Sequence, residues 1–204
     1  MSHPSSTKKL TASCFFAILM ATLAFSSGAI SAEEPVAESK ASDKKPEKPV
    51  LLLKYGDGKP DGQKSIAGAG EMIEFTMPEG QTNALKSLRI HCSRYGYPQP
   101  PKEDVEITIL SEDMTEPLHT ELVPYALFKR QKDARWTNVP LEEAIEVPAK
   151  FWVVFNFNAE ATKGVYVSYD TSTKGEHSRV GFNDQDAKET EFKGDWMVQA
   201  VLAK

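Results

Sequence analysis

Flat rings and directional polar groups alternate along residues 151–170, and together they could bind a sugar. Sugars present hydroxyls at the rim and apolar C–H patches on the ring faces, so a binder combines aromatic faces with amides and carboxylates. Trp152, Asn156, Asn158, Tyr166 and Asp170 supply both kinds. All are even-numbered, and side chains alternate across a strand, so a two-stranded hairpin with Asn156 opposite Tyr166 places them on one surface. The odd positions, Phe151, Val153, Phe155, Phe157, Val165, Val167 and Tyr169, are almost wholly apolar and form the core face. Tyr95, Tyr97 and His91 add a rim if the loop Arg94-Tyr95-Gly96-Tyr97-Pro98-Gln99-Pro100-Pro101 folds over the same side. The competing reading has Asn158 opening a turn and Trp152 packed beneath a loop, or the whole face covered by another segment or partner.

Catalytic constellations are scarce. The sequence holds no Gly-x-Ser-x-Gly elbow, no His-Glu-x-x-His and no Cys-x-x-Cys. His91, His119 and His177 are dispersed, without a second ligand at metal spacing. Glu74 and Glu106 share the outward phase of two strands, but a glycosidase needs two carboxylates facing each other across a cleft. The expectation is therefore a non-catalytic domain with no cofactor. The loop Asp57-Gly58-Lys59-Pro60-Asp61-Gly62 has Lys59 at a ligand position and Gly68 where a helix-loop-helix calcium site needs glutamate. A simpler calcium site on Asp57, Asp61 and nearby carbonyls stays open beside the plainer reading of a glycine turn.

The elements that position these residues read as short strands. Apolar alternation marks Val50–Tyr55, Met72–Met77, Leu85–Cys92, Asp104–Leu110 and, more weakly, Leu118–Val123 and Trp136–Leu141. The two segments of 151–170, Ser178–Phe182 and Asp195–Leu202 complete nine or ten strands. Pro140 confines its segment to an edge or a strand end. Residues 141–146 could make one helical turn. Without helical crossovers, this pattern predicts an all-β fold, an antiparallel β-sandwich of jelly-roll type, over residues 50–204.

Residues 1–32 carry Lys8 and Lys9, an apolar run over 11–25 and small residues before Ala32. That is the pattern of a secretory signal peptide cut near Ala32, since a membrane-spanning helix needs about 20 apolar residues. Residues 33–49 hold three prolines, mixed charges and no aromatic, and read as a disordered tether. The expected location is secreted or periplasmic. Cleavage removes two of the 24 basic side chains and none of the 29 acids, leaving a net charge of −7. Such a chain lacks the basic surface that nucleic acid or an anionic membrane would need. Cys92 then stands alone, in phase with Leu88 and Ile90, and reads as a buried, inert thiol.

The stretches Ser93–Asp104, Thr162–Asp170 and Lys193-Gly194-Asp195-Trp196-Met197 resemble a module of exported bacterial proteins that occurs alone or fused to other domains. The resemblance covers roughly residues 50–202, and that module has no assigned activity. More loosely, the architecture is similar to galactose-binding-like and carbohydrate-binding β-sandwiches. That likeness implies a fold and no residue roles. The resulting expectation is an exported binding module for glycan or another extracellular ligand. The alternative is an accessory or scaffold protein docking a polypeptide.

Overall fold

Alternation of apolar side chains builds thirteen strands among the described residues, in a computed structural model that describes residues 51–80 and 83–203. The signal segment and tether expected over residues 1–49 lie outside the described residues. The strands form two antiparallel sheets. One joins β1 (Leu51–Lys54), β2 (Gly62–Lys64), β4 (Ala84–Gly96), β7 (Arg135–Glu146), β9 (Lys163–Asp170), β12 (Asp195–Trp196) and β13 (Val198–Leu202). The other runs β11 (Lys188–Glu189), β10 (Ser178–Gly181), β3 (Gly70–Thr76), β8 (Lys150–Asn156), β5 (Asp104–Leu110) and β6 (Pro117–Pro124). The all-β sandwich expected from the strand pattern is the fold. Ten of the strand segments were legible as runs of alternation. β2 and β11 are too short to show a pattern, and Met197 divides the last run into β12 and β13.

The core lies between the sheets. Ile73, Phe75, Leu88, Ile90, Val105, Ile107, Val153, Phe155, Val165 and Val167 are all fully buried there. Each comes from the inward parity of its strand, which is how a half-apolar strand removes its oily face from water. Glu71 breaks the pattern. It holds the inward phase of β3 and is 1% exposed. Its Oε1 accepts the Ile66 N–H at 3.2 Å, while Oε2 has no partner among the described residues. Burial pushes its carboxyl well above the ordinary glutamate value, because the charged form is costly away from water.

One local expectation changes and another holds. The segment 141–146 is strand rather than helical turn: β7 continues past Pro140, pairing Ile145 with Leu85 and Glu146 with Ala84. Pairing with β4 gives those backbone groups partners that a lone turn could not. Pro140 is accommodated at an irregularity in register between Leu85 and Ser87, on a strand that pairs with β4 alone.

The larger change concerns residues 151–170. β8 and β9 are not a hairpin. β8 pairs with β3 and β5 in one sheet, and β9 pairs with β4, β12 and β2 in the other. The connection crosses the end of the sandwich at Phe157, which is buried and whose carbonyl accepts the Tyr125 hydroxyl at 3.1 Å. Both strands still turn their odd residues inward, so their even residues point outward from opposite sides of the molecule.

Candidate functional site

Strand β4 carries the site. It is long enough to hold β9 along residues 92–96 and β13 along residues 85–90, while β7 pairs along residues 84–92. On its solvent side, His91, Ser93 and Tyr95 follow one another at the two-residue period. Opposite Ser93 stands Tyr166, and opposite Tyr95 stands Gly164. The missing side chain matters. The Tyr95 ring lies where a Cβ on Gly164 would project, so the phenol rests flat on β9. Its hydroxyl donates to the Glu160 carbonyl at 2.9 Å, and the Ser65 hydroxyl approaches it at 3.4 Å. Tyr166 leans on this fixed ring, with centroids 4.5 Å apart and planes at 34°. Its own ring is 43% exposed.

Two walls enclose the tyrosines. Gln63 on β2 forms one, because β2 is paired to β9. Residues 129–132 form the other. The Ser93 hydroxyl donates to the Gln131 carbonyl at 2.6 Å and accepts its N–H at 3.3 Å, and the Arg94 N–H donates to the Lys129 carbonyl at 3.0 Å. These bonds hold Arg130, Gln131 and Lys132 at the rim. The result is an open cleft of about 490 Å³ lined by Tyr95, Tyr166, Gln63, Gln131, Arg130 and Lys132, with Ser93, Arg94 and Gly96 behind. It offers aromatic area, two amides and positive charge. Among the described residues, no carboxylate lines it.

His91 stands on the same face, one step along β4 beyond Ser93, outside the cleft lining. Its Nδ1 is 2.8 Å from the Ser168 hydroxyl, and its ring meets Trp136 edge-on at 5.3 Å. Burial pulls its imidazole below the ordinary histidine value, so it is neutral at neutral pH. The Ser168 residue is fully buried, so the pair offers no exposed nucleophile. The Arg89 guanidinium lies 5.4 Å over the Trp136 ring and donates to Gln199 at 3.1 Å.

The remaining expected site residues lie elsewhere. Trp152 is on the other sheet, 5% exposed, in a cluster with Met72, Leu110 and Val154. Its indole N–H donates to the Glu112 carbonyl at 3.1 Å, beneath the loop that follows β5. That is the competing reading of Trp152, and it holds. The Asn156 side chain accepts the Asn158 N–H at 3.1 Å, and Asn158 sits at φ 44°, so both form the turn leaving β8. Tyr97 is exposed on a separate groove with Gln99, Pro100 and Pro101.

Asp170 is a buried loop staple. It accepts the Gly58 N–H at 2.9 Å and the Ser172 N–H at 2.9 Å, along with the Ser172 hydroxyl. Burial pushes this carboxyl upward, but the bonds from Ser172 and Gly58 outweigh it and hold the group below the ordinary aspartate value. Asp61 is exposed, and its Oδ2 accepts the N–H and hydroxyl of Thr171, each at 2.7 Å. Asp57 accepts the Lys59 N–H at 2.8 Å. The acids of this loop hold turns together, and among the described residues no group of three acidic, histidine or cysteine side chains is arranged to hold a metal. Glu74 and Glu106 pair with Trp152 and Asn156 on either side of β8. Four residues of strand separate those positions by about 13 Å, too far for a glycosidase pair. Cys92 is buried, as its phase implied, and burial pushes its thiol up to about 12.

Of the expected residues, Tyr95 and Tyr166 alone come together in the cleft. Gln63, Arg130, Gln131 and Lys132 were missed. Their only sequence signal was a short polar run on either side of unremarkable loops, and pairing to β9 and to Ser93 is what gathers them.

No protein-family model and no curated protein matches the sequence. Among solved structures, the chain is similar to the cysteine protease and lectin-like domains of Cwp84, a surface-layer-associated protein of Clostridium difficile. The TM-score is 0.41 at 12% identity, over 65% of this chain and 31% of that chain.

Proposed function

We propose that this chain is an exported, non-catalytic binding module that takes saccharide in the Tyr95–Tyr166 cleft. The observation that carries the reading is an exposed tyrosine ring braced on an immobilised one, between the amides of Gln63 and Gln131. A braced ring loses little freedom on binding, so the stacking contribution to a sugar face is retained. The amides fix the orientation of the hydroxyls. The non-catalytic reading is supported by a described lining without the carboxylate pair that glycoside hydrolysis uses. Export rests on the basic, apolar and small-residue order of residues 8–32. The test is a glycan and cell-wall polysaccharide array probed with the wild type and Tyr166→Ala. Saccharide hits that vanish in the variant support the reading, and an array with no Tyr166-dependent hit rejects it.

A second reading, an accessory protein docking a polypeptide, is favoured by one observation. The edge strand β6 exposes Leu118 and Leu122, the latter to 59%. An open edge with apolar side chains can accept another strand. Capture of one defined protein by the wild type, lost with Leu122→Lys, would favour this reading over the cleft.

A further inference from the structure

The cations around the Tyr95–Tyr166 cleft fall into two groups. Lys163 is neutralised by Glu103 at 2.7 Å and Glu160 at 3.3 Å, and Lys64 by Glu191 at 2.8 Å. Arg130 and Lys132, on the cleft wall, have no acidic partner within salt-bridge reach among the described residues. Behind them lies Arg94, 5% exposed, whose guanidinium donates to the Tyr97 and Pro98 carbonyls at 2.7 and 2.9 Å. Its Nε has no partner among the described residues. Burial first, and the neighbouring Arg130 charge second, pull Arg94 below its ordinary value, as expected where like charges are held close together. Carbonyl oxygens accept the hydrogen bonds of a guanidinium but leave its full charge in place. Three positive charges therefore converge on a cleft with no acid in its lining among the described residues, in a chain whose overall charge is −5. A local reversal of sign at a concave site draws in ligands of the opposite charge.

We propose that the cleft selects an acidic saccharide, a pyranose bearing a carboxylate, with Arg130 and Lys132 receiving the anion while Tyr166 stacks on the sugar ring. This rests on the reading of the cleft as a saccharide site, and it adds the chemical class. An arginine presents two parallel N–H donors to a carboxylate, whereas a neutral hydroxyl uses only one. Arg94 positions the wall and adds charge from behind without touching the ligand.

The test compares a uronic-acid trisaccharide with its methyl ester by calorimetry, using the full chain. The ester keeps the ring and removes the charge. The expected result is binding of the acid at least about tenfold tighter than the ester, weakened by added salt because exposed charge contacts are screened. The double variant Arg130→Gln/Lys132→Gln should erase the preference, so that acid and ester bind that variant with equal affinity. Tyr166→Ala should lose both ligands. Equal affinity for acid and ester in the wild type overturns the charge assignment and leaves the saccharide site standing. Binding of neither overturns both. A preference that survives in the double variant places the anion elsewhere and also overturns the assignment. Circular dichroism and unchanged melting confirm that the variants are folded.

Discussion

Tyr95 lies across Gly164, its cross-strand partner, and this packing holds the aromatic half of the candidate cleft. The glycine leaves room for the ring, and the hydroxyl bond to Glu160 fixes its far end. Replacing Gly164 with alanine puts a methyl group where the phenol sits. Gly164→Ala should displace Tyr95 and weaken saccharide binding at least as much as Tyr95→Ala. Overpacking of this kind costs about 1–3 kcal/mol, so the domain should melt lower but remain folded. Thermal melts with a binding titration on the same sample check both effects.

The two prominent aromatics of residues 151–170 should separate cleanly by mutation. Trp152→Ala removes a buried indole from the Met72, Leu110 and Val154 cluster and breaks the bond to Glu112. The expected loss is about 3–5 kcal/mol of stability with unchanged affinity in the folded protein. Tyr166→Ala, at an exposed position, should change stability by no more than about 0.5 kcal/mol and abolish binding. Denaturant melts and calorimetry distinguish the two, and the opposite assignment would refute the site.

The buried carboxyls give stability a dependence on pH at both ends. Asp170 has a folded value below its ordinary 3.8, so its contribution is complete above that value and disappears as pH falls through the lower folded one. Asp170→Asn should flatten the acid limb of the stability curve. Glu71 behaves in the opposite sense. Its folded value lies well above 4.5, so its contribution is complete below 4.5 and is lost as pH rises toward the folded value. Glu71→Gln should flatten the loss on the alkaline side. Urea melts across pH 3–9 on the three proteins check both signs.

Cys92 should resist thiol reagents in the native protein. Its thiol is buried among core side chains, and its value of about 12 leaves almost no thiolate at neutral pH. Labelling with an aromatic disulfide should proceed only in denaturant. Rapid native labelling would contradict the burial of β4.

Parity was legible in the sequence, and strand partnership was not. The inward placement of Phe151, Val153, Phe155, Val165 and Val167 follows from alternation alone, because either sheet of a sandwich buries one face. Nothing in that alternation says which sheet a strand enters. The connection through Phe157 is long enough to reach across sheets about 10 Å apart, so a hairpin and a crossover share the same pattern. Trp152 and Tyr166 therefore had the same parity and opposite destinations. Arg130 and Lys132 gave little signal, since the Ser93–Gln131 and Arg94–Lys129 bonds are what bring them to the cleft. Asp170 looked like a ligand group because its type suits one, but its oxygens are filled by Gly58 and Ser172, a distribution that sequence spacing does not reveal.

Nitrogen–proton correlation spectra of the labelled chain, recorded while titrating the uronic-acid trisaccharide, test the central claim most directly. The account predicts saturable shifts at residues 93–96, 130–132 and 164–166, with the indole N–H of Trp152 unmoved as an internal control on the opposite face. Shifts centred on Trp152 and its neighbours Met72 and Leu110, or a spectrum that does not change at saturating ligand, would contradict it.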